Sequence, residues 1–218
     1  MAKKLEVGII GLGKFGFALA QRLVELGHSV VGVDGDERAI RRAQSILAQV
    51  YQADAEDKEA LEQLGFKDLD HVIVSVGHSM EASILVAMNL QELKVPKVWV
   101  KAMSEEHQKV LDRLGVDMVV FPEQYVARQL AYRLAVPGLL DYLALGEGIM
   151  VREVKVDKWA GQTLRDLNLP STHNIQVVAV KSSGAEEFSF VPRADVPLKE
   201  GDVLVLLGKS ENVLEATQ

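Results

Sequence analysis

Gly11, Gly13 and Gly16 are spaced as Gly-x-Gly-x-x-Gly between an apolar run, residues 5–10, and an amphipathic stretch, residues 15–26. A lone glycine triplet is weak evidence, but one that closes a strand and opens a helix is the dinucleotide-binding pattern. The first glycine makes a tight turn, the second lets the backbone approach a phosphate, and the third lets helix and strand pack. The helix N-terminus offers unpaired N–H groups and a partial positive charge to the phosphates. Lys14 and Phe15 lie inside this loop. Asp34 follows Gly16 by 18 residues and ends the next apolar run. A carboxylate there accepts hydrogen bonds from ribose hydroxyls and repels a 2′-phosphate. NAD or an adenosine phosphate is therefore expected over NADP, although Arg38 nearby softens that exclusion. Asp36 joins Asp34 as a candidate contact and also reads as a helix cap.

Three more segments fall at the C-terminal ends of expected strands, where open α/β sheets bind ligands. Asp54, between Ala53 and Ala55, either reaches the adenine edge or caps a helix. Ser75 precedes Val76 and Gly77, and Gly77 suits close approach of a ligand. His78 reads as a solvent-side loop residue. Lys101 either neutralises phosphate or is a surface lysine.

The elements that would hold these residues alternate. Strands are expected at 5–10, 29–34, 50–53, 70–76, 97–101 and 118–121. Helices are expected at 15–26, 36–47, 58–64, 80–93, from 104 to Gly115, and from Pro122 to about 134. Six such repeats predict an α/β fold, a Rossmann-type doubly wound parallel sheet. The rhythm changes at Pro137-Gly138. Residues 139–145 read as helical, Gly146-Glu147-Gly148 as a break, and the rest as a small α+β module. Strands are expected there at 149–156, 176–181, 187–191 and 203–207, with a last helix at 209–217. The organisation predicted is a nucleotide-binding domain over 1–135, a linker over 136–147 and a second domain over 148–218.

Composition narrows the function. The 218 residues are 48% hydrophobic, which allows a sizeable core, and carry a net charge of -7, which argues against nucleic acid. There is no cysteine, so disulfides, thiolate catalysis and Cys-ligated zinc are excluded. No run approaches about 18 consecutive apolar residues, so a soluble chain without membrane insertion is expected.

A dehydrogenase of this fold needs a proton donor or acceptor beside the nicotinamide. No Tyr-x-x-x-Lys pair occurs at Tyr125, Tyr132 or Tyr142. His28, His71, His78, His107 and His173 show neither an obvious carboxylate partner nor metal-ligand spacing. About 80 residues follow the nucleotide fold, few for a substrate domain. The reading favoured is a sensor, whose conformational equilibrium a ligand shifts. The alternative is an NAD-dependent oxidoreductase of unknown substrate.

Residues 9–16 and 27–34 resemble the opening of the KTN/RCK (TrkA-N plus TrkA-C) domains that regulate Ktr and Trk potassium uptake systems. Residues 53–55, 71–77, 98–102, 114–117 and 121–123 are similar to later segments of that family. Residues 167–169 and 198–208 resemble its C-terminal RCK subdomain, and the whole looks nearest the KtrA type. The resemblance implies a regulatory, gating-ring subunit that binds ATP, ADP or NAD(H) as a signal without consuming it. It also implies a homodimer that assembles into an octameric ring. That ring would dock on a potassium-translocating membrane subunit, so the chain would be cytoplasmic and peripheral to the inner face of the membrane through its partner. ATP-responsive members carry arginine at the position of Lys14, and lysine keeps the charge without the bidentate fork. Pro170 and Gln176 occupy the positions of an arginine and a polar residue that bind cyclic di-AMP in other members, and the proline argues against that ligand here. Glu123 matches a family glutamate that can hold a divalent cation near the dimer axis. Its other reading is a first-turn carboxylate stabilising a helix dipole.

Overall fold

The computed structural model describes residues 3–77, 79–136, 139–143 and 148–217, with the backbone alone for 139–143. It divides into two compact units, residues 1–122 and 123–218.

In the first unit six parallel strands form one sheet: β1 (Glu6–Ile10), β2 (Ser29–Asp34), β3 (Gln49–Gln52), β4 (His71–Val74), β5 (Val98–Lys101) and β6 (Met118–Val120). Their order is β3-β2-β1-β4-β5-β6, the doubly wound arrangement with its switch point between β1 and β4. The connecting helices are α1 (Lys14–Glu25), α2 (Glu37–Ala43), α3 (Lys58–Gln63), α4 (Met80–Glu92) and α5 (Glu105–Leu114). Both faces of the sheet are covered, which is why the central strands read as apolar runs without alternation. Successive side chains point to opposite faces. Val7, Ile9 and Ile73 pack with Ala20, Ile40 and Leu47 on one face. Ile10, Val72 and Val74 pack with Leu61, Phe66, Val86, Leu90 and Leu111 on the other.

α2 stops at Ala43, short of the expected residue 47. A turn carries the chain on, with the Ile46 and Leu47 amides donating to the Ala43 carbonyl. Leu47 still reaches the core, so its apolar character records burial and not helix.

The second unit begins with α6 (Pro122–Ala135), continues with β7 (Leu139–Leu143) and β8 (Ile149–Lys155), and passes through two short helices, α7 (Leu164–Leu167) and α8 (Leu169–His173). It ends with β9 (Gln176–Lys181), β10 (Ser189–Phe190), β11 (Val203–Lys209) and α9 (Ser210–Thr217). The strands form an antiparallel sheet in the order β10-β9-β11-β8-β7. Its core gathers Met150, Ile175, Leu204, Leu206 and Val213. The buried Asp202 carboxylate ties two turns together, accepting from the Ser183 and Lys199 amides, both at 2.8 Å.

One expectation for this region is corrected. Residues 139–143 are a strand and not a helix, paired with β8 from Leu139 opposite Arg152 to Leu143 opposite Ile149. A short apolar run suits either state, and here the neighbouring strand decides. α6 has no buried residue of its own, while Tyr132 and Val136 pack against the second core. The expected breaks at Pro137-Gly138 and Gly146-Glu147 lie outside the described residues, as does His78.

Candidate functional site

The parallel register brings the candidate residues to one level. Ile10 pairs with Val33 on one side and with Val74 on the other. The next residue of each strand, Gly11, Asp34 and Ser75, therefore emerges together at the C-terminal edge of the sheet. One strand out, Asp34 pairs with Gln52, so Ala53 and Asp54 follow at the same edge.

Here the chain lines a recess of about 710 Å³, within the range of small-molecule sites. Gly11, Gly13, Asp34, Asp54, Ala55, Ser75 and Gly77 all contribute to it. Val33, Val76, Ala82 and Val86 give it apolar walls suited to a planar base, and its charged residues are the carboxylates of Asp34, Asp54 and Glu56. A second recess adjoins it, lined by Gly13, Asp34, Asp36 and the cationic side chains of Lys14, Arg38 and Arg42. The polarity matches a nucleotide with its ribose on the carboxylates and its phosphates towards the cations.

The glycine loop is fixed at every peptide. Gly11 donates its amide to the Val33 carbonyl at 2.8 Å and accepts from the Ser75 hydroxyl at 2.7 Å. The Leu12 amide donates to Asp34 Oδ2 at 2.6 Å. The Leu12 carbonyl accepts from the Arg42 guanidinium. The Gly13 carbonyl accepts from the Phe17 amide at 3.0 Å.

The three glycines have different reasons. Gly11 has φ +89°, which favours glycine. A Cβ on Gly16 would stand 2.0 Å from the Gly11 carbonyl oxygen, so helix and loop pack too closely for a side chain. Gly13 has an ordinary φ of -61°, and a Cβ there would meet nothing within 4 Å. The fold does not require glycine at 13. The space is kept open at the mouth of both recesses, beside first-turn amides of α1 that no side chain caps. Uncapped helix N-termini of this kind bind phosphate.

Other predicted residues are placed as follows. Asp34 uses its second oxygen to accept from the Asp36 amide at 2.8 Å. Asp36 caps α2 by accepting from the Arg38 amide at 2.8 Å. Asp54 lines the recess and accepts from the Glu56 amide at 2.9 Å, but α3 is capped by Asp57, which rules out the capping alternative for Asp54. Phe15, Gly16 and Lys101 do not line either recess; the Lys101 ammonium sits 6.0 Å from the centre of the Phe15 ring. Glu123 lies in the first turn of α6. Among the described residues no group of three or more His, Cys, Asp or Glu side chains could hold a metal ion.

Gln52 and Glu56 also line the recess and were not singled out in the sequence. Each adjoins the 53–55 segment, and their position at a strand's C-terminal end is the signal that points to them. Arg42 leaves no such signal, because its target lies 30 residues earlier in the chain.

Two family models match in tandem, the TrkA-N domain over residues 7–122 and the TrkA-C domain over residues 150–218. The chain belongs to the TrkA-N family. It is 34% identical to Ktr system potassium uptake protein C of Bacillus subtilis over 96% of this chain and 95% of that protein. It is 29% identical to Ktr system potassium uptake protein A of the same organism, over 97% and 95%. Among solved structures it shares the fold of the GsuK channel bound to NAD, with TM-score 0.57 and 23% identity over 99% of this chain. This TrkA-N protein spans 39% of that channel chain. The TrkA-C match begins at the second residue of β8 and runs to residue 218.

Proposed function

We propose that this protein is the nucleotide-sensing regulatory subunit of a Ktr-type potassium uptake system. The observation that carries the sensor reading is the open glycine at 13. It is a position the fold leaves free, set between carboxylates that suit a ribose and cations that suit phosphate. The relatives named for potassium uptake match nearly end to end and supply the physiological context. The charged groups of the main recess are carboxylates, which suit the ribose hydroxyls of a bound nucleotide.

The ligand is an adenine nucleotide, ATP, ADP or NAD(H), and NAD is the molecule bound in the GsuK channel that shares this fold. Gly11, Gly13 and Lys14 hold the phosphates, Asp34 the ribose, and Asp54, Ala55 and Gly77 bound the base. No helix among the described residues is long and apolar enough to cross a membrane, so membrane association runs through a potassium-translocating partner at the cytoplasmic face. The protein acts as a homo-oligomer. α6 leaves Tyr125, Val126, Leu130 and Leu134 exposed, and an apolar helix face of this kind suits self-association. A divalent cation at Glu123 would draw its other ligands from beyond the described residues.

Equilibrium binding of ATP, ADP and NADH to the purified chain tests the reading. Binding of at least one below millimolar concentration is expected, with a change in solution scattering on nucleotide exchange. Absence of all three would remove the sensor reading, and binding without any change of shape would leave the nucleotide a structural role only.

A further inference from the structure

We infer that Arg42 is a positioning residue that holds the glycine loop in its phosphate-binding form. Its guanidinium reaches from α2 to the loop and donates to the Leu12 carbonyl, with the Gly13 carbonyl 3.4 Å from the same nitrogen. The cationic carbon sits 4.5 Å from the centre of the Phe17 ring, one turn into α1. One side chain thus joins α2, the loop and the helix that the loop opens.

The geometry has a directional consequence. In a trans peptide the carbonyl and the following N–H point in opposite directions. A guanidinium that holds the Leu12 carbonyl towards α2 therefore turns the Gly13 amide away from α2. Asp34 acts on the other peptide of Leu12, accepting its amide at 2.6 Å. Leu12 is gripped by a carboxylate on its N–H and a guanidinium on its C=O, each partner being charged and each bond stronger for it. Two free rotations that would let the loop amides wander are removed before any ligand arrives. Preorganisation of this kind raises affinity by lowering the ordering cost of binding. Stacking on Phe17 fixes the guanidinium plane, which lysine could not reproduce.

The inference rests on the nucleotide reading, and one experiment separates the two. The full chain and its Arg42→Met and Arg42→Lys variants are titrated with ADP and with adenosine, which fills the same recess without phosphate. The expected result is an ADP affinity lower by about tenfold in Arg42→Met, the size of one charge-assisted hydrogen bond. Adenosine affinity stays within about twofold, and Arg42→Lys falls near Arg42→Met. Unchanged ADP affinity, a parallel loss for both ligands, or an Arg42→Lys variant that binds ADP like the parent overturns the inference: a merely structural residue would move both ligands alike, and a direct charge contact with phosphate from the recess that Arg42 lines would survive as lysine. If the unmodified chain binds neither ligand, nor ATP or NADH, the nucleotide reading fails. Amide hydrogen exchange of the ligand-free protein then decides Arg42 alone. Faster exchange of the Leu12 amide, which donates to Asp34, in Arg42→Met with the Val33 amide unaffected supports the loop-holding role, and unchanged exchange overturns it.

Discussion

Replacing Gly13 with alanine separates folding from ligand binding, and the two effects can be sized from the structure. The added methyl meets no protein atom within 4 Å, and the backbone φ of -61° is open to any residue. Alanine stiffens the unfolded chain, which stabilises by about 0.4–1 kcal/mol. It is also the poorer residue at the cap of α1, which costs a few tenths to about 1 kcal/mol. The two terms nearly cancel, so the ligand-free variant should stay within about 0.5 kcal/mol of the parent, or about 2 °C in Tm. The methyl projects at the mouth of both recesses, where a phosphate would contact the loop backbone. Losing close approach to one or two amides should weaken ADP or NADH binding at least tenfold. Gly16→Ala is the control of opposite character. Its Cβ would stand 2.0 Å from the Gly11 oxygen and 2.7 Å from Ser75 Oγ, so the loop must deform and stability should fall by several kcal/mol. Thermal melts without nucleotide and calorimetric titration with it give both quantities. A Gly13→Ala protein that binds ADP like the parent would refute the phosphate role of the loop.

Three further outcomes are expected. Asp34→Asn keeps one backbone acceptor and sets an amide donor against the other N–H; ligand-free stability should fall by about 1–2 kcal/mol and ADP affinity about tenfold, read by urea unfolding and calorimetry. His107 is buried at the start of α5, its Nδ1 accepting from the Met103 amide while Nε2 has no partner among the described residues, and burial pushes its pKa below the ordinary value. The unfolded chain therefore takes up a proton below about pH 6.5 that the folded chain refuses, so stability is complete above that pH and falls as pH drops towards 5. His107→Leu should flatten that part of a melting-temperature profile, and an unchanged slope would contradict the assignment. Leu130→Glu on α6 should lower the oligomeric state seen by light scattering while leaving the melting of the first unit within about 2 °C; an unchanged mass would remove α6 from the interface.

The parts of the site that were legible in the sequence are those where backbone geometry dictates residue type. Gly11 needs a left-handed φ, Gly16 has no room for a Cβ, and Asp34 must end a strand whose neighbour supplies the loop. Such requirements act over a few residues and leave a spacing. Side chains that reach far along the chain leave none. Ser75 was marked only by its place at the end of a strand, and its bond to the Gly11 carbonyl across 64 residues left no sign; Arg42, which meets Leu12 across 30, left none at all. The strand at 139–143 was misread because its conformation is fixed by pairing with β8 and not by its own apolar run.

The lysine at position 14 bears on how strong a switch this site can be. A lysine is a point charge without arginine's fork, and it should discriminate ATP from ADP modestly. Yet a ligand shifts a conformational equilibrium only by its differential affinity for the two states. A tenfold differential is worth about 1.4 kcal/mol per site, whereas moving an equilibrium from 1:99 to 99:1 takes about 5.5 kcal/mol. One site of that quality is a poor switch. Sites in identical subunits that change together add their contributions, so about four copies at tenfold each suffice. A small differential at each site and self-association would therefore be linked demands: the less each site distinguishes the two conformations, the more copies must move as one. A stably monomeric chain whose nucleotide favours one conformation over the other only tenfold would be inconsistent with a switch; oligomer mass, measured alongside the conformational shift that ATP and ADP each produce, tests this.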